Sequence, residues 1–149
     1  MREVVFALTF RGRAGVVKGT SAMRQARSVA PSQVLRTVLS PMGIDSRVEP
    51  IAGESAVLES RVERFGDGTF VEDGTIAYGS AGALTFVTVG RGTVGPSPVA
   101  GWVHGAVVWS VTGGTGGLAG ATGLITSNFV ASADGDVVDQ HVARLYLPE

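Results

Sequence analysis

Three side chains on predicted strands of this sequence could take part directly in a reaction. Tyr78 carries a phenol that can donate a hydrogen bond to a substrate carbonyl and draw electron density from it. Trp109 presents a large aromatic face for stacking on a conjugated substrate, and it precedes a glycine-rich connection. Arg91 places a positive charge at the end of an apolar strand. These residues are the predicted catalytic set; the alternative is that the aromatics pack in a core and Arg91 faces solvent.

A second group of residues could bind a substrate without reacting with it. Aromatic side chains suit the wall of an apolar cavity because each buries a large area, although ordinary core packing explains each of them as well. A polar amide inside an uncharged stretch could reach the lumen or satisfy backbone groups at a bend. The predicted substrate-binding residues are Trp102, Phe86, Asn128 and Tyr146.

Other constellations point to chemistry that the surrounding sequence does not support. Gly114–Ala119 has the spacing of a dinucleotide-binding fingerprint, but such glycines must open a helix, and Gly120–Gly123 is a poor helix start. A hairpin connection is the favoured interpretation. His104, His141 and Asp139 are the residue types of a two-histidine, one-carboxylate metal site, although nothing places His104 beside the other two. No metal site is therefore predicted, and the absence of cysteine excludes a thiol nucleophile.

Composition indicates one globular domain over residues 1–149. Apolar residues make up 44% of the chain, charged residues 17%, and the formal net charge is −1, which does not suggest a nucleic-acid partner. No secretion signal or membrane span is evident, so a cytoplasmic location is expected. The basic residues are arginines except for a single lysine, Lys18. This preference is compatible with a GC-rich bacterial genome and with natural-product biosynthesis.

Charge is distributed unevenly along the chain. Residues 92–133 contain no Asp, Glu, Lys or Arg, so we expect this stretch to be buried on both faces, one toward a lumen and one toward a second subunit. A homo-oligomer is therefore predicted. Residues 1–48 carry eight basic side chains against Glu3 and Asp45, and residues 21–50 could form a lid or an arm. The alternative for that segment is a solvated basic surface.

Alternating apolar and polar residues predict an all-β domain. Gly66-Asp67-Gly68 is typical of a hairpin turn, and no helix-length segment separates the strands after residue 50. In the N-terminal part, Ser32 could cap a short helix that Pro41 ends, although Val34 is also compatible with an extended chain. The predicted fold is a closed antiparallel up-and-down barrel of about eight strands with an irregular or helical N-terminal insertion. The predicted strands are Val4–Phe10, Ser55–Phe65, Thr69–Tyr78, Ala83–Arg91, Val99–Thr112, Leu118–Val130 and Val137–Leu147.

The C-terminal half resembles the allene oxide cyclase barrel superfamily, which includes plant dirigent proteins and bacterial spirotetronate cyclases. A strand over Val107–Val111 leads into the glycine-rich segment Gly113–Gly123, and Leu124–Phe129 follows. The resemblance covers roughly residues 54–147. It implies an eight-stranded, commonly oligomeric barrel that holds a flexible hydrophobic substrate without a metal or organic cofactor.

The same resemblance implies a cofactor-free cyclase or isomerase acting on a polyketide-like intermediate, including a [4+2] cyclisation. Allene oxide cyclases use a buried carboxylate, and Glu59, Glu63 and Glu72 are the loose candidates for that position here. The other hypothesis is a barrel that binds a hydrophobic small ligand without changing it. A lumen filled by side chains would contradict both hypotheses.

Overall fold

The computed structural model describes residues 1–149 and contains almost only β-structure. Helical backbone is limited to two single turns of 3-10 helix, Gly79–Ala81 and Gly116–Leu118, and no helix is long and apolar enough to cross a membrane. The strands are β1 (Arg2–Val16), β2 (Met23–Ala30), β3 (Gln33–Ser40), β4 (Gly43–Pro50), β5 (Ala56–Arg64), β6 (Thr69–Tyr78), β7 (Ala83–Thr88), β8 (Gly92–Pro96), β9 (Trp102–Gly114), β10 (Thr122–Ser132) and β11 (Asp136–Leu147).

Eight antiparallel strands close into a barrel. Their order is β1-β2-β5-β6-β7-β9-β10-β11, and β11 pairs with β1 over Arg2–Arg13 to complete the ring. The short strand β8 is an addition that pairs with the first part of β9 and touches β6. The predicted closed antiparallel barrel is confirmed. Closure leaves the eight strands without a free edge, which an apolar sheet of this size needs.

Alternation along the strands decides which side chains enter the barrel. On β5 the residues Ala56, Leu58 and Ser60 are buried, whereas Glu59 and Arg61 on either side of Ser60 are exposed. Because residues that pair directly across antiparallel strands share a face, this pattern passes from strand to strand around the ring. The resulting core consists of Phe10, Ala30, Ala56, Leu58, Phe70, Ile76, Leu84, Phe86, Val107, Trp109, Val111, Ala121, Ile125, Ala143, Leu145 and Leu147.

The helix predicted after Ser32 is wrong, because residues 33–50 form a two-stranded hairpin. β3 and β4 pair from Gln33↔Pro50 to Ser40↔Gly43, and Pro41 stands in the turn between them. Gly43 adopts a φ of 119°, which a residue with a side chain rarely takes. The hairpin, called the arm below, is attached to the barrel by the Gln33 side chain, whose Oε1 accepts a hydrogen bond from the backbone N–H of Thr9 at 2.7 Å.

Candidate functional site

The lumen of the barrel is filled at one end and open at the other. The filled end contains fully buried apolar side chains such as Ile76, Leu84, Ile125 and Leu145. The open end is a cavity of about 890 Å³ whose walls include Leu58, Val62, Phe70, Val94 and Phe129. A cavity of this size can hold a small organic molecule. A second, more open depression of about 800 Å³ adjoins this cavity over β1, β2, β5 and β6 and is lined mainly by polar residues and backbone.

A carboxyl group lies on the inner face of the cavity. Glu72 lies on β6 between the inward-facing residues Phe70 and Gly74, and it pairs across the sheet with Val62. The Oγ of Ser60 donates a hydrogen bond of 2.5 Å to Glu72 Oε2. Burial raises the pKa of Glu72 to about 8; the nearby carboxylates of Asp139 and Asp73 also raise it, and the Ser60 hydrogen bond partly opposes them. Glu72 therefore carries its proton at neutral pH.

A second polar group comes from β10 and β11. Asp139 lines the cavity and accepts a hydrogen bond of 2.6 Å from Ser127 Oγ at its Oδ1 atom. The Nε2 atom of His141 lies 2.9 Å from Asp139 Oδ2. Both side chains are buried, with the His141 side chain 2% exposed and that of Asp139 9% exposed. A carboxylate bound to an imidazole in this way can accept or pass on a proton.

Two aromatic rings enclose the imidazole of His141. Phe10 lies against it with ring centroids 4.3 Å apart, and Trp109 meets it edge to face at 5.0 Å. The Nδ1 atom of His141 and the Nε1 atom of Trp109 are buried and have no hydrogen-bond partner among the protein atoms. Buried polar atoms are almost always paired, so leaving these two atoms unpaired lowers the stability of the fold at this point.

Aromatic side chains form part of the cavity wall where two glycines make room for them. Phe70 and Phe129 meet edge to face with centroids 5.8 Å apart. A Cβ atom on Gly92 would lie within 2.8 Å of three atoms of the Phe70 ring, and one on Gly105 would lie 2.6 Å from Cζ of Phe129. The lack of a side chain at Gly92 and Gly105 thus leaves room for the ends of both rings.

Comparison of the chain with protein-family models, with curated proteins and with solved structures gave no match.

The structure places one predicted site residue in the cavity and three behind or below it. Trp102 is half-buried and lines the open end. Trp109 and Phe86 are buried and stack on each other with centroids 4.2 Å apart, so neither reaches the cavity. Tyr78 lies at the filled end, edge to face with Phe6 at 5.4 Å, and burial raises the pKa of its phenol above the ordinary value.

The remaining predicted residues lie outside the lumen. Arg91 is exposed, with its guanidinium 4.0 Å from the centroid of the Phe65 ring and 3.8 Å from Asp67 Oδ2. Asn128 and Tyr146 occupy the outward-facing positions of β10 and β11, because the neighbouring Ser127 and Leu145 point inward. The assignment of Asn128, Tyr146 and Arg91 to a lumen site is therefore corrected by the direction of their side chains.

The carboxylate and histidine candidates are distinguished by the face of the sheet on which they lie. Glu59 and Glu63 are exposed on the outer face of β5, so Glu72 is the one of the three loose candidates inside the barrel. His104 is exposed on β9, whereas His141 is buried. No group of three His, Cys, Asp or Glu side chains is arranged to hold a metal ion. The glycine-rich segment forms the connection from β9 to β10 and opens no longer helix.

Proposed function

We propose that this protein is a cofactor-independent isomerase or cyclase that moves a proton within a largely apolar small molecule held in the lumen. The observation that carries the proposal is the buried pair of polar groups on the inner face of an open, mostly apolar cavity. Glu72 with Ser60 provides one group, and Asp139 with His141 provides the other. An isomerisation needs no more than this, because one proton is added to the substrate and one is removed.

The two groups have complementary roles in this proposal. Glu72 is protonated at neutral pH and acts as the general acid, donating its proton to a carbonyl or other basic oxygen of the substrate. Asp139, which lines the cavity and is oriented by Ser127 and His141, accepts the proton that the substrate loses beside the carbonyl. Asp139 then returns this proton to the far carbon of the resulting dienol, and the dienol hydroxyl gives its proton back to Glu72, so both side chains regain their starting states. The negative charge of Asp139 raises the pKa of Glu72 and so helps to keep the proton on Glu72.

The apolar walls supply the second part of the proposed mechanism. A cavity that holds a flexible chain in a folded conformation brings the reacting atoms together before the reaction starts, which lowers the entropic part of the barrier. Val62, Phe70, Val94 and Phe129 form such a wall. A [4+2] cyclisation in this cavity would depend mainly on its shape, whereas a proton-transfer cyclisation would depend on Glu72.

The alternative is a barrel that binds a hydrophobic molecule without changing it. Such a carrier needs apolar walls but gains nothing from an enclosed carboxyl group, whose ionised form is destabilised by burial. The presence of Glu72 and Asp139 on the inner face favours the enzyme. The two functions differ in one measurable respect, namely turnover.

The test uses 3-cyclohexenone, whose conversion to the conjugated 2-cyclohexenone is followed by ultraviolet absorbance. We expect the wild-type protein to accelerate the conversion and Glu72→Gln to reduce the rate by about 10²- to 10⁴-fold. The rate should fall as the pH rises through about 8, where Glu72 loses its proton. Glu63→Gln, a change of the same type on the outer face of β5, is the matched control and should leave the rate unchanged.

Two results would contradict the proposal. Equal rates for the wild-type protein and Glu72→Gln would remove Glu72 from the mechanism. Binding of the enone, seen as a rise in melting temperature, without any acceleration by the wild-type protein would instead support the carrier.

We also propose that the barrel forms a homo-oligomer through the arm. Residues Leu35, Leu39, Ile44 and Val48 lie on one face of the hairpin and are 38–76% exposed, and that face carries no charged residue. The opposite face holds Arg36, Arg47, Asp45 and Glu49. The arm is therefore amphipathic, with its apolar face uncovered.

A second copy of the chain offers a matching surface. The outer faces of β7, β9, β10 and β11 expose Val87, Val108, Leu124 and Val142, and residues 92–133 bring no charge to this area. A two-stranded arm with eight residues in each strand is about 26 Å long and can bury on the order of 400 Å² on each side of a contact. Reciprocal exchange of two arms then reaches the range of about 1,200–2,000 Å² found in stable interfaces.

Light scattering tests the arm contact. We expect the wild-type protein to be a dimer at micromolar concentration and Leu39→Ser/Ile44→Ser to be a monomer. The matched control is Arg36→Ser/Arg47→Ser, which changes the charged face of the same hairpin and should stay dimeric. A monomeric wild-type protein would contradict the proposal.

A further inference from the structure

Two arginines enter the mouth of the cavity from neighbouring strands. Arg24 on β2 pairs across the sheet with Val62, and Arg64 on β5 pairs with Phe70; both partners belong to the inner face. Arg24 and Arg64 both line the cavity. Arg13, Arg27 and Asp134 line the cavity as well, and Arg13 and Arg27 each pair with a carboxylate. The other two arginines, Arg24 and Arg64, lie at the entrance of a compartment whose walls are mostly apolar.

Neither arginine has an acidic partner. Arg24 Nη1 donates to the backbone carbonyls of Ser21 at 2.6 Å and Met23 at 3.3 Å, and no carboxylate lies within 4.0 Å of either guanidinium. By contrast, Arg13 at the same mouth forms an ion pair of 2.6 Å with Asp136. Partial burial and the charge of Arg24 lower the pKa of Arg64 from its ordinary value. Two like charges held together in this way are stabilised when an anion lies between them.

We propose that Arg24 and Arg64 bind the anionic end of an amphipathic substrate, a carboxylate or a phosphate, while its apolar part extends into the cavity. Guanidinium groups suit this role because their planar donors match the oxygens of either anion. This inference rests on the proposed function, since it names the class of molecule on which the Glu72 site acts. The anion itself takes no part in the reaction.

The spacing along β5 sets the length of such a substrate. Val62 and Arg64 are successive inward positions, and Val62 is the residue that pairs across the sheet with Glu72. Two residues of extended strand span about 7 Å. The bound molecule would therefore present its charged end at the mouth and its reactive atoms roughly 7 Å deeper, beside Glu72.

Calorimetric titration with three ten-carbon probes, namely decanoate, decyl phosphate and decanol, tests this site. We expect the wild-type protein to bind an anionic probe at least about tenfold more tightly than decanol. The comparison of decanoate with decyl phosphate distinguishes a carboxylate substrate from a phosphate substrate. In the double variant Arg24→Gln/Arg64→Gln, the ratio of the affinity for an anionic probe to that for decanol should fall to about one. The affinity for decanol itself should stay unchanged.

The matched control is Arg11→Gln. Arg11 has the same charge but faces outward on β1, next to the inward-facing Phe10, so its removal should leave the preference intact. Equal affinity for decanol and both anions, or an equal loss of preference in Arg11→Gln, would overturn the anion site while leaving a lumen that binds apolar molecules. No binding of any probe would also overturn it. A clear anion preference without turnover of the enone would preserve this inference and reject the enzyme.

Discussion

The two ends of the same barrel differ in what fills them. At the filled end the inward positions carry Leu84, Ile125 and Leu145, which leave no space between opposite strands. At the open end the corresponding positions carry residues that line the cavity without filling it, namely small, polar or aromatic residues such as Ala26, Glu72 and Phe129. One set of strands therefore provides a packed core that stabilises the closed sheet and a cavity that the core keeps in shape. Stability and binding are separated along the barrel axis.

This division also separates favourable from unfavourable contributions to stability. A buried apolar side chain stabilises the fold by removing apolar area from water. An enclosed carboxyl group such as Glu72 destabilises it once the pH favours ionisation, because the charged form loses its hydration. The apolar side chains at the filled end must therefore stabilise the fold by more than the carboxyl group at the open end destabilises it. Measurements of unfolding free energy for variants at each end test this difference.

The largest expected effect comes from equal truncations at the two ends. Phe86→Ala removes a ring that is 1% exposed and stacked on Trp109, and it should lower the free energy of unfolding by about 3–5 kcal/mol. Phe129→Ala removes the same ring from the cavity wall, where no new enclosed void forms, and should cost roughly half as much. Chemical denaturation of both variants gives the comparison. Equal losses would show that the open end is as tightly packed as the filled end.

A pH-dependent effect is expected from Glu72→Gln. Below about pH 4.5 the wild-type carboxyl is protonated in both the folded and the unfolded chain, so the two proteins should have similar stability. Between pH 4.5 and about 8 the unfolded chain ionises while the folded protein keeps its proton, so wild-type stability falls as the pH rises. At pH 9 the variant should be more stable than the wild type by roughly 3–5 kcal/mol.

The control for this prediction is Glu59→Gln, which removes an exposed carboxylate that faces Arg27 at 4.0 Å. Its stability relative to the wild type should change by less than about 1 kcal/mol over the same pH range. A parallel pH dependence in Glu72→Gln and the wild-type protein would mean that Glu72 is not the titrating group.

The sequence predicted the barrel well because alternation is a property of each strand by itself. The alternation within β5 alone identifies the face that carries the buried residues Ala56, Leu58 and Ser60. The neighbouring strands are not needed for this prediction. The helix predicted after Ser32 is wrong because Ser32 and Pro41 are typical of helix ends as well as of turns. Only the pairing of Leu35 with Val48 and of Leu39 with Ile44 shows that this segment is extended.

The candidate site was harder to predict because it depends on which strands meet across the lumen. Glu72 has the same parity on β6 as the buried Phe70 and Ile76, and this signal could have placed it inside. Its proximity to Asp139 follows from closure of the ring, which local patterns do not contain. The position of Trp109 just before the glycine-rich connection predicts a place at the barrel rim, yet large rings are also good core fillers, and Trp109 packs beside Phe86 in the core.

The smallest expected effect distinguishes two adjacent residues of β10 that face opposite sides of the sheet. Ser127 is 1% exposed and donates to Asp139 at 2.6 Å, so Ser127→Ala should lower the free energy of unfolding by about 1–3 kcal/mol. Asn128 is exposed on the outer face, and Asn128→Ala should change the free energy of unfolding by no more than about 0.5 kcal/mol. Thermal unfolding of the two variants measures the difference. Because the proposed base is Asp139, Ser127→Ala should also slow the enone conversion, and Asn128→Ala should not. A reversed order of the two variants would place the polar site on the outside of the barrel.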